Sequence, residues 1–313
     1  MTTSINLKHS FSKKLVGLDT YFNEMLKLYE NKKFPKVLLL CGDKGIGKFT
    51  LVAHFINYIF SKEEKIPYNV KDKIINENSS FYNLLLNKTT QDVIFVEASE
   101  KKNIKIDEIR SLKSTLANST LSDKPRFTII DEVEFLNVNS VNALLKTLEE
   151  PTVNNFFILI NNKQADLIET ISSRCLKTNV FLNPIQRNKV IDYLFKHRSI
   201  TNVIDYNSSL SPGLFLKFNE IFFKYKISLD DNIFIMLSLL MTGYKKEKDK
   251  SLISLANFLI DQSFFKKIKN NENNIEFLLD TRSSIIKMIK DFVQFNLNIN
   301  SVLNSIKIKL RNV

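Results

Sequence analysis

The chain has 313 residues, 45 basic and 33 acidic side chains and a formal net charge of +12, with 44% hydrophobic and 25% charged residues. Those proportions exclude a disordered or fibrous chain and leave room for two or three domains around a sizeable core. The basic balance suits nucleic acid, nucleotides or an acidic partner, although Lys, Asn and Ile are abundant throughout, as an AT-rich genome would produce.

The only cysteines are Cys41 and Cys175. Two thiols build neither a four-cysteine zinc site nor a disulfide framework, so no zinc and a reducing compartment are expected. The stretch MTTSINLKHSFSKKL has no apolar core of signal-peptide length, and no run is long enough to span a bilayer. A soluble, cytoplasmic protein with no membrane partner is the expectation.

In chain order, Asp19 or Thr20 caps a first helix with Tyr21, Met25, Leu28 and Tyr29 on one side, ended by Phe34-Pro35. Val37–Cys41 is an unbroken apolar run before Gly42, the pattern of a strand buried on both faces. A glycine loop follows, then a helix carrying Leu51, Val52, Phe55, Ile56 and Ile59. Lys62 to Gln91 is polar and uneven and reads as an irregular insertion. Asp92–Ala98 is a second strand, Ile106, Ile109, Leu112 and Leu116 fall at helical spacing, and Arg126–Ile130 is a third strand with Asp131-Glu132 at its end. Val141, Leu144, Leu145 and Leu148 form one stripe stopped by Pro151. Asn155–Ile160 is a fourth strand, a short helix runs through Leu167 and Ile171, and a fifth strand starts at Leu176. After Pro184 the apolar spacing is helical to the end, clearest in DNIFIMLSLLMTGY, SLISLANFLIDQSFFKKI and TRSSIIKMIKDFVQFNLNI, and there is no internal repeat. Strands alternating with helices imply an α/β fold with a parallel sheet and right-handed crossovers. All-helical material follows it.

Gly42, Gly47 and Lys48 fit the G-x-x-x-x-G-K part of a P-loop, with a strand before and a helix after. Backbone amides of such a loop surround phosphate oxygens and the lysine adds positive charge. The residue after the lysine, which normally supplies the hydroxyl that holds Mg²⁺, is Phe49. Thr50 is next, but one helical step turns it about 100° around the axis, so it does not replace the missing ligand. Binding without efficient hydrolysis and an empty loop both remain open. Asp131 and Glu132, ending an apolar strand, resemble the pair that holds Mg²⁺-bound water and polarises an attacking water. Arg174, in ISSRCL, reads by itself as a surface arginine in an ordinary ion pair. His9, His54 and His197 have no metal-ligand spacing and read as structural or solvated.

Together, GDKGIGKFTL, TIIDEVEFLNVNSVNALLKTLEEP and ISSRC, in this order and spacing, resemble the AAA+ subunits of the bacterial DNA polymerase III clamp loader. NALLKTLEEP followed by SRC is the most specific part, and the resemblance is strongest from Val37 to Cys175. It is nearest to the delta-prime type. Motor subunits of the gamma/tau type are expected to keep a hydroxyl at Phe49 and a four-cysteine zinc module, and this chain has neither.

The resemblance implies an AAA+ P-loop NTPase-like domain with a five-stranded parallel sheet over residues 1–180. A small helical lid over 181–230 and a helical collar over 231–313 follow. By the same resemblance, Gly42, Gly45, Gly47, Lys48 and Thr50 match the nucleotide loop, and Asp131 and Glu132 match Walker B. Asn161 or Asn162 falls at the sensor-1 polar position. Arg174 matches the arginine finger that a neighbouring subunit inserts into an ATP site. SPGLFL looks like the sensor-2 segment, where Leu214 stands in place of the motor subunits' arginine.

The departures, Phe49 and Leu214, affect catalysis at the chain's own site, whereas Arg174 remains for work in trans. An arginine supplied across an interface is worth about 10³-fold or more in rate, and lysine is a poor substitute for its planar fork of donors. The implied role is a delta-prime-type member of a hetero-pentamer with gamma/tau motor subunits and a delta subunit, which loads the sliding clamp onto primed DNA. Its own ATP/Mg²⁺ site is degenerate. Two other readings stand beside it: an autonomous ATPase, such as a gamma/tau-like motor or helicase loader, and a collar protein with no use for nucleotide. DNA contact, if made, is expected to be backbone-directed and salt-dependent.

Overall fold

A computed structural model of the chain describes residues 11–87, 89–98, 103–117, 124–198, 202–206, 208–270 and 274–311. His9 lies outside the described residues. The chain divides into two compact units, one of residues up to 194 with 210–214, the other of residues 195–209 with 215–313.

The first unit is built on five parallel strands, β1 (Val37–Cys41), β2 (Val93–Val96), β3 (Arg126–Asp131), β4 (Asn155–Asn161) and β5 (Leu176–Asn179). Their order across the sheet is β2-β3-β4-β1-β5. Alternate residues of β1 to β4 feed two cores, as the period of two requires, while the edge strand β5 is mostly exposed. Leu38, Leu40, Ile158 and Ile160 join one cluster with Leu51, Phe55 and Ile56 of helix α2 (Lys48–Ser61) and with Phe22 and Met25 of α1 (Asp19–Glu30). Leu39, Cys41, Phe157 and Leu159 join the other with Ile109 and Leu112 of α4 (Ile106–Ala117) and Val141, Leu144 and Leu148 of α5 (Val138–Glu149). The sheet is therefore buried on both faces, as parallel sheets are.

Two local readings are corrected. Helix α1 begins at Asp19 with Leu18 at the cap position and no side-chain cap, so neither Asp19 nor Thr20 caps it. It buries Phe22, Met25 and Leu26, and Tyr21, Leu28 and Tyr29 pack partly buried against the same core. The apolar stripe is wide, so its deepest line could not be read from spacing. The stretch from Lys62 to Gln91 is no mere irregular insertion. It holds helix α3 (Ser80–Asn87) and sends Tyr68, Ile75, Phe81, Tyr82 and Leu85 into the first core. Its many polar residues are turn residues between widely spaced apolar anchors. Helix α2 is buried around most of its circumference, because the sheet, α1 and α3 cover it on several sides.

A short helix α6 (Glu169–Ser172) precedes β5, and α7 (Pro184–Arg198) and α8 (Pro212–Tyr225) follow it. The second unit continues with α9 (Ile233–Glu247), α10 (Lys250–Asn270), α11 (Ile275–Phe295) and α12 (Ile299–Arg311). Helix α9 packs on α10 and α12, α10 on α11, and α11 on α12. Their buried face includes Leu237, Leu240, Met241, Leu255, Ile260, Ile285, Ile289 and Ile306. Among the described residues no helix is long and apolar enough to cross a membrane.

Candidate functional site

Strand β4 lies between β1 and β3, so the residues that leave the C-terminal ends of these three strands are brought side by side. Cys41 pairs with Asn161 and Asp131 with Ile160, which levels the glycine loop, the 161–164 turn and the acidic pair. Ligands of open parallel sheets bind at this edge.

The loop is made by its glycines. Gly45 and Gly47 have φ of 86° and 98°, in the left-handed region open to glycine at no steric cost, and Gly47 caps α2. A Cβ on Gly42 would come within 2.4 Å of the Val180 carbonyl oxygen, so that position admits no side chain without a shift.

Lys48 is 3% exposed, and its ammonium donates to the carbonyls of Gly42 at 2.6 Å and Asp43 at 2.8 Å. Burial pushes its pKa down to about 8, against the pull of Asp131, Glu134 and Asp43. The lysine charge is turned inward on its own loop.

Asp131 is buried, and its Oδ1 accepts from Glu132 N at 2.7 Å and from Asn162 Nδ2 at 3.1 Å. Of the two asparagines left open by the sequence, Asn162 reaches the acidic pair, and Asn161 spends its side-chain oxygen on Lys163 N. Glu132, with φ 55°, faces Lys44 at 2.7 Å, and Gln164 Nε2 donates to the same oxygen at 3.0 Å.

Glu134 is buried beneath the turn, accepting from the backbone amides of Asn162 and Gln164. Burial raises its carboxyl pKa, and those amides oppose the rise. Lys44, Glu134 and Gln164 were not picked out by sequence reasoning, although Lys44 sits inside the loop motif and Glu134 two residues past the acidic pair.

Ser211 and the first turn of α8 close on the loop. Ser211 Oγ donates to Lys44 O at 2.5 Å and Gly213 N to Gly45 O at 2.8 Å. A Cβ on Gly213 would meet Gly45 Cα at 2.8 Å, so backbone runs against backbone here. Leu214 follows directly, bringing no charge to the loop.

Phe49 belongs to the first core, its ring centroid 5.8 Å from Phe95 and 6.2 Å from Phe11. Thr50 is half-buried in the first turn of α2. The oxygen set for a magnesium nucleotide is thus one hydroxyl short, its place in the sequence taken by a core side chain. Without that hydroxyl, the residues present do not make up a complete hydrolysing magnesium site. Among the described residues, no cluster of His, Cys, Asp and Glu forms another metal site.

Arg174 is not brought to this edge. It precedes Leu176, which pairs with Leu38 near the start of β1, so it lies toward the N-terminal ends of the strands. The four residues of β5 alone set roughly 13 Å between it and the loop level. Its side chain is 31% exposed and pairs with Glu149. His54 is buried in the first unit between Tyr68 OH and the Ser12 carbonyl, and His197 is exposed on α7.

A family model described as "DNA polymerase III, delta subunit" matches residues 18–183, more than half of the chain. The chain is 28% identical over 303 residues to the DNA polymerase III subunit delta' of Buchnera aphidicola subsp. Baizongia pistaciae, a match covering 88% of this chain and 87% of that protein. It is 33% identical over 161 residues to the DNA polymerase III subunit tau of Bacillus subtilis, covering 51% of this chain but only 27% of that protein. A solved gamma subunit-related protein of DNA polymerase III from Thermotoga maritima overlays with a TM-score of 0.49 at 17% identity, over 93% of this chain and 97% of that one.

Proposed function

Since the chain belongs to the DNA polymerase III clamp-loader family, we propose that it is a delta-prime-type subunit whose catalytic contribution is made in trans by Arg174. Its partners on this reading are gamma/tau-type motor subunits and a delta-type subunit in a cytoplasmic hetero-pentamer. That assembly acts on the sliding clamp and primed DNA. Residues 231–313 serve as the collar and 181–230 as the lid.

The observation that carries the reading is the separation of Arg174 from its own loop. A guanidinium displayed at the opposite end of the sheet serves no nucleotide held by Lys48. Phosphoryl transfer is served mainly by positioned charge, and a fork of always-charged donors is the group to export. The home site supports the same division. Its magnesium hydroxyl is replaced by Phe49, and Lys48 and Glu132 are engaged within the fold. On this account Gly42, Gly45, Gly47, Lys48, Thr50, Asp131, Glu132 and Asn162 keep the shape of a nucleotide site without a full hydrolytic set.

The test is ATP turnover by the isolated chain, by the motor subunits with the chain, and by the same mixture carrying Arg174→Ala. Turnover that needs both components and falls with the substitution supports the reading. Brisk turnover by the isolated chain supports an autonomous ATPase of the gamma/tau type.

A further inference from the structure

We propose that Glu149 is a positioning residue that aims the Arg174 guanidinium, an inference that rests on the trans role of Arg174 just given. Arg174 Nε donates to Glu149 Oε1 at 2.5 Å, and Nη2 lies 2.5 Å from the same oxygen. On the other side, Nη1 donates to the Thr170 carbonyl at 2.8 Å and to Ser173 Oγ at 3.2 Å. One edge of the planar group is thus fixed by a carboxylate and the other by a backbone carbonyl and a hydroxyl.

The turn that carries Arg174 is built without this pair. Ser173 N donates to Glu169 O, Arg174 N to Ile171 O at 3.1 Å, and Cys175 Sγ to Ile171 O at 3.0 Å. An exposed ion pair adds little to stability in any case. What Glu149 fixes is the direction of the side chain, not the path of the backbone.

Glu149 is itself well placed for this. It is the last residue of α5, which Asn137 caps at the other end, its side chain accepting from Ser140 N. Leu144 and Leu148 anchor the helix in the second core. A long, flexible arginine loses rotamer freedom when it docks across an interface. Holding it beforehand removes part of that cost. A carboxylate on a rigid helix end is a suitable holder, because it binds the Nε edge and leaves the outer N–H of Nη2 for an incoming anion.

The experiment uses the full chain reconstituted with the gamma/tau-type and delta-type subunits of its own organism, with assembly checked by size-exclusion chromatography. ATP turnover is measured for the wild type, Glu149→Ala, Glu149→Gln, Glu150→Ala, Arg174→Ala and the Glu149→Ala/Arg174→Ala double variant. Glu149→Ala is expected to lower kcat about fivefold with KM for ATP unchanged. Glu149→Gln, which keeps an acceptor oxygen in place, is expected to stay within about twofold of the wild type. Glu150→Ala, at the exposed neighbour, leaves kcat unchanged. The double variant is expected to be no slower than Arg174→Ala alone, since a holder has nothing left to hold.

If Arg174→Ala is slow but Glu149→Ala turns over like the wild type, the positioning role is overturned and the trans arginine stands. A double variant slower than Arg174→Ala also overturns it. Wild-type turnover by Arg174→Ala removes the trans reading itself.

Discussion

Lys44 Nζ lies 2.7 Å from Glu132 Oε1, so the carboxylate just past the third strand is held by the glycine loop itself. Gln164 adds a second donor to the same oxygen. A carboxylate held in this way is poorly disposed to polarise a water. Glu132→Gln in this chain is therefore expected to change ATP turnover of the assembled complex by less than about twofold. A tenfold loss would restore Glu132 to a working hydrolytic site.

Phe49 fills core space beside Phe95 and Phe11. Phe49→Ser supplies the hydroxyl but leaves a void, and because the ring is only partly buried the cost is expected to be roughly 2 kcal/mol. Urea unfolding measures that cost. The isolated variant is expected to remain without ATP turnover, since Lys48 and Glu132 keep their loop partners.

Much of this site was legible in the sequence. The strand from Val37 to Cys41 was read to the residue, and Arg126–Asp131 and Asn155–Asn161 each run only one residue beyond the expectation. Unbroken apolar runs closed by glycine or acid leave little choice. The loop motif and the acidic pair came from pattern and resemblance together, which left Asn161 and Asn162 as alternatives. What spacing could not show was long-range pairing. Lys44 meets Glu132 and Glu149 meets Arg174 across 88 and 25 residues of sequence. Core residues such as Tyr68 and Ile75 sit in polar surroundings that mask their burial until the sheet is assembled.

The contact of Gly213 with Gly45 is backbone against backbone. Gly213→Ala inserts a methyl where Gly45 Cα stands 2.8 Å away, so the 211–213 segment has to lift from the loop. A loss of about 1–2 kcal/mol is expected. Hydrogen exchange at Gly213 N, which donates to Gly45 O, is expected to quicken relative to the core strands. Unchanged protection there would mean that the segment does not rest on the loop.

His54 is fully buried, with Nδ1 2.8 Å from Tyr68 OH and Nε2 3.0 Å from the Ser12 carbonyl. A donor on Nε2 suits the carbonyl and leaves Nδ1 to accept from the tyrosine. Burial pushes the pKa down to about 4, against the Ser12 carbonyl, which favours the charged form. Neutral His54 is therefore the folded form. The associated stability is full above the unfolded value of about 6.5 and is lost as pH falls through about 4, a change of about 3 kcal/mol. Denaturant titrations between pH 7 and 4 should show this loss, and His54→Gln should flatten it. An equally steep loss in the variant would assign the acid sensitivity elsewhere.

The central claim is that the arginine is exported and the home site is idle. Its most direct test is ATP turnover of the reconstituted complex with Arg174→Ala, alongside the isolated wild-type chain. The account predicts a fall of about tenfold or more in the complex and no magnesium-dependent turnover by the chain alone. Wild-type turnover in the Arg174→Ala complex, or isolated-chain hydrolysis near about 1 per second, would contradict it.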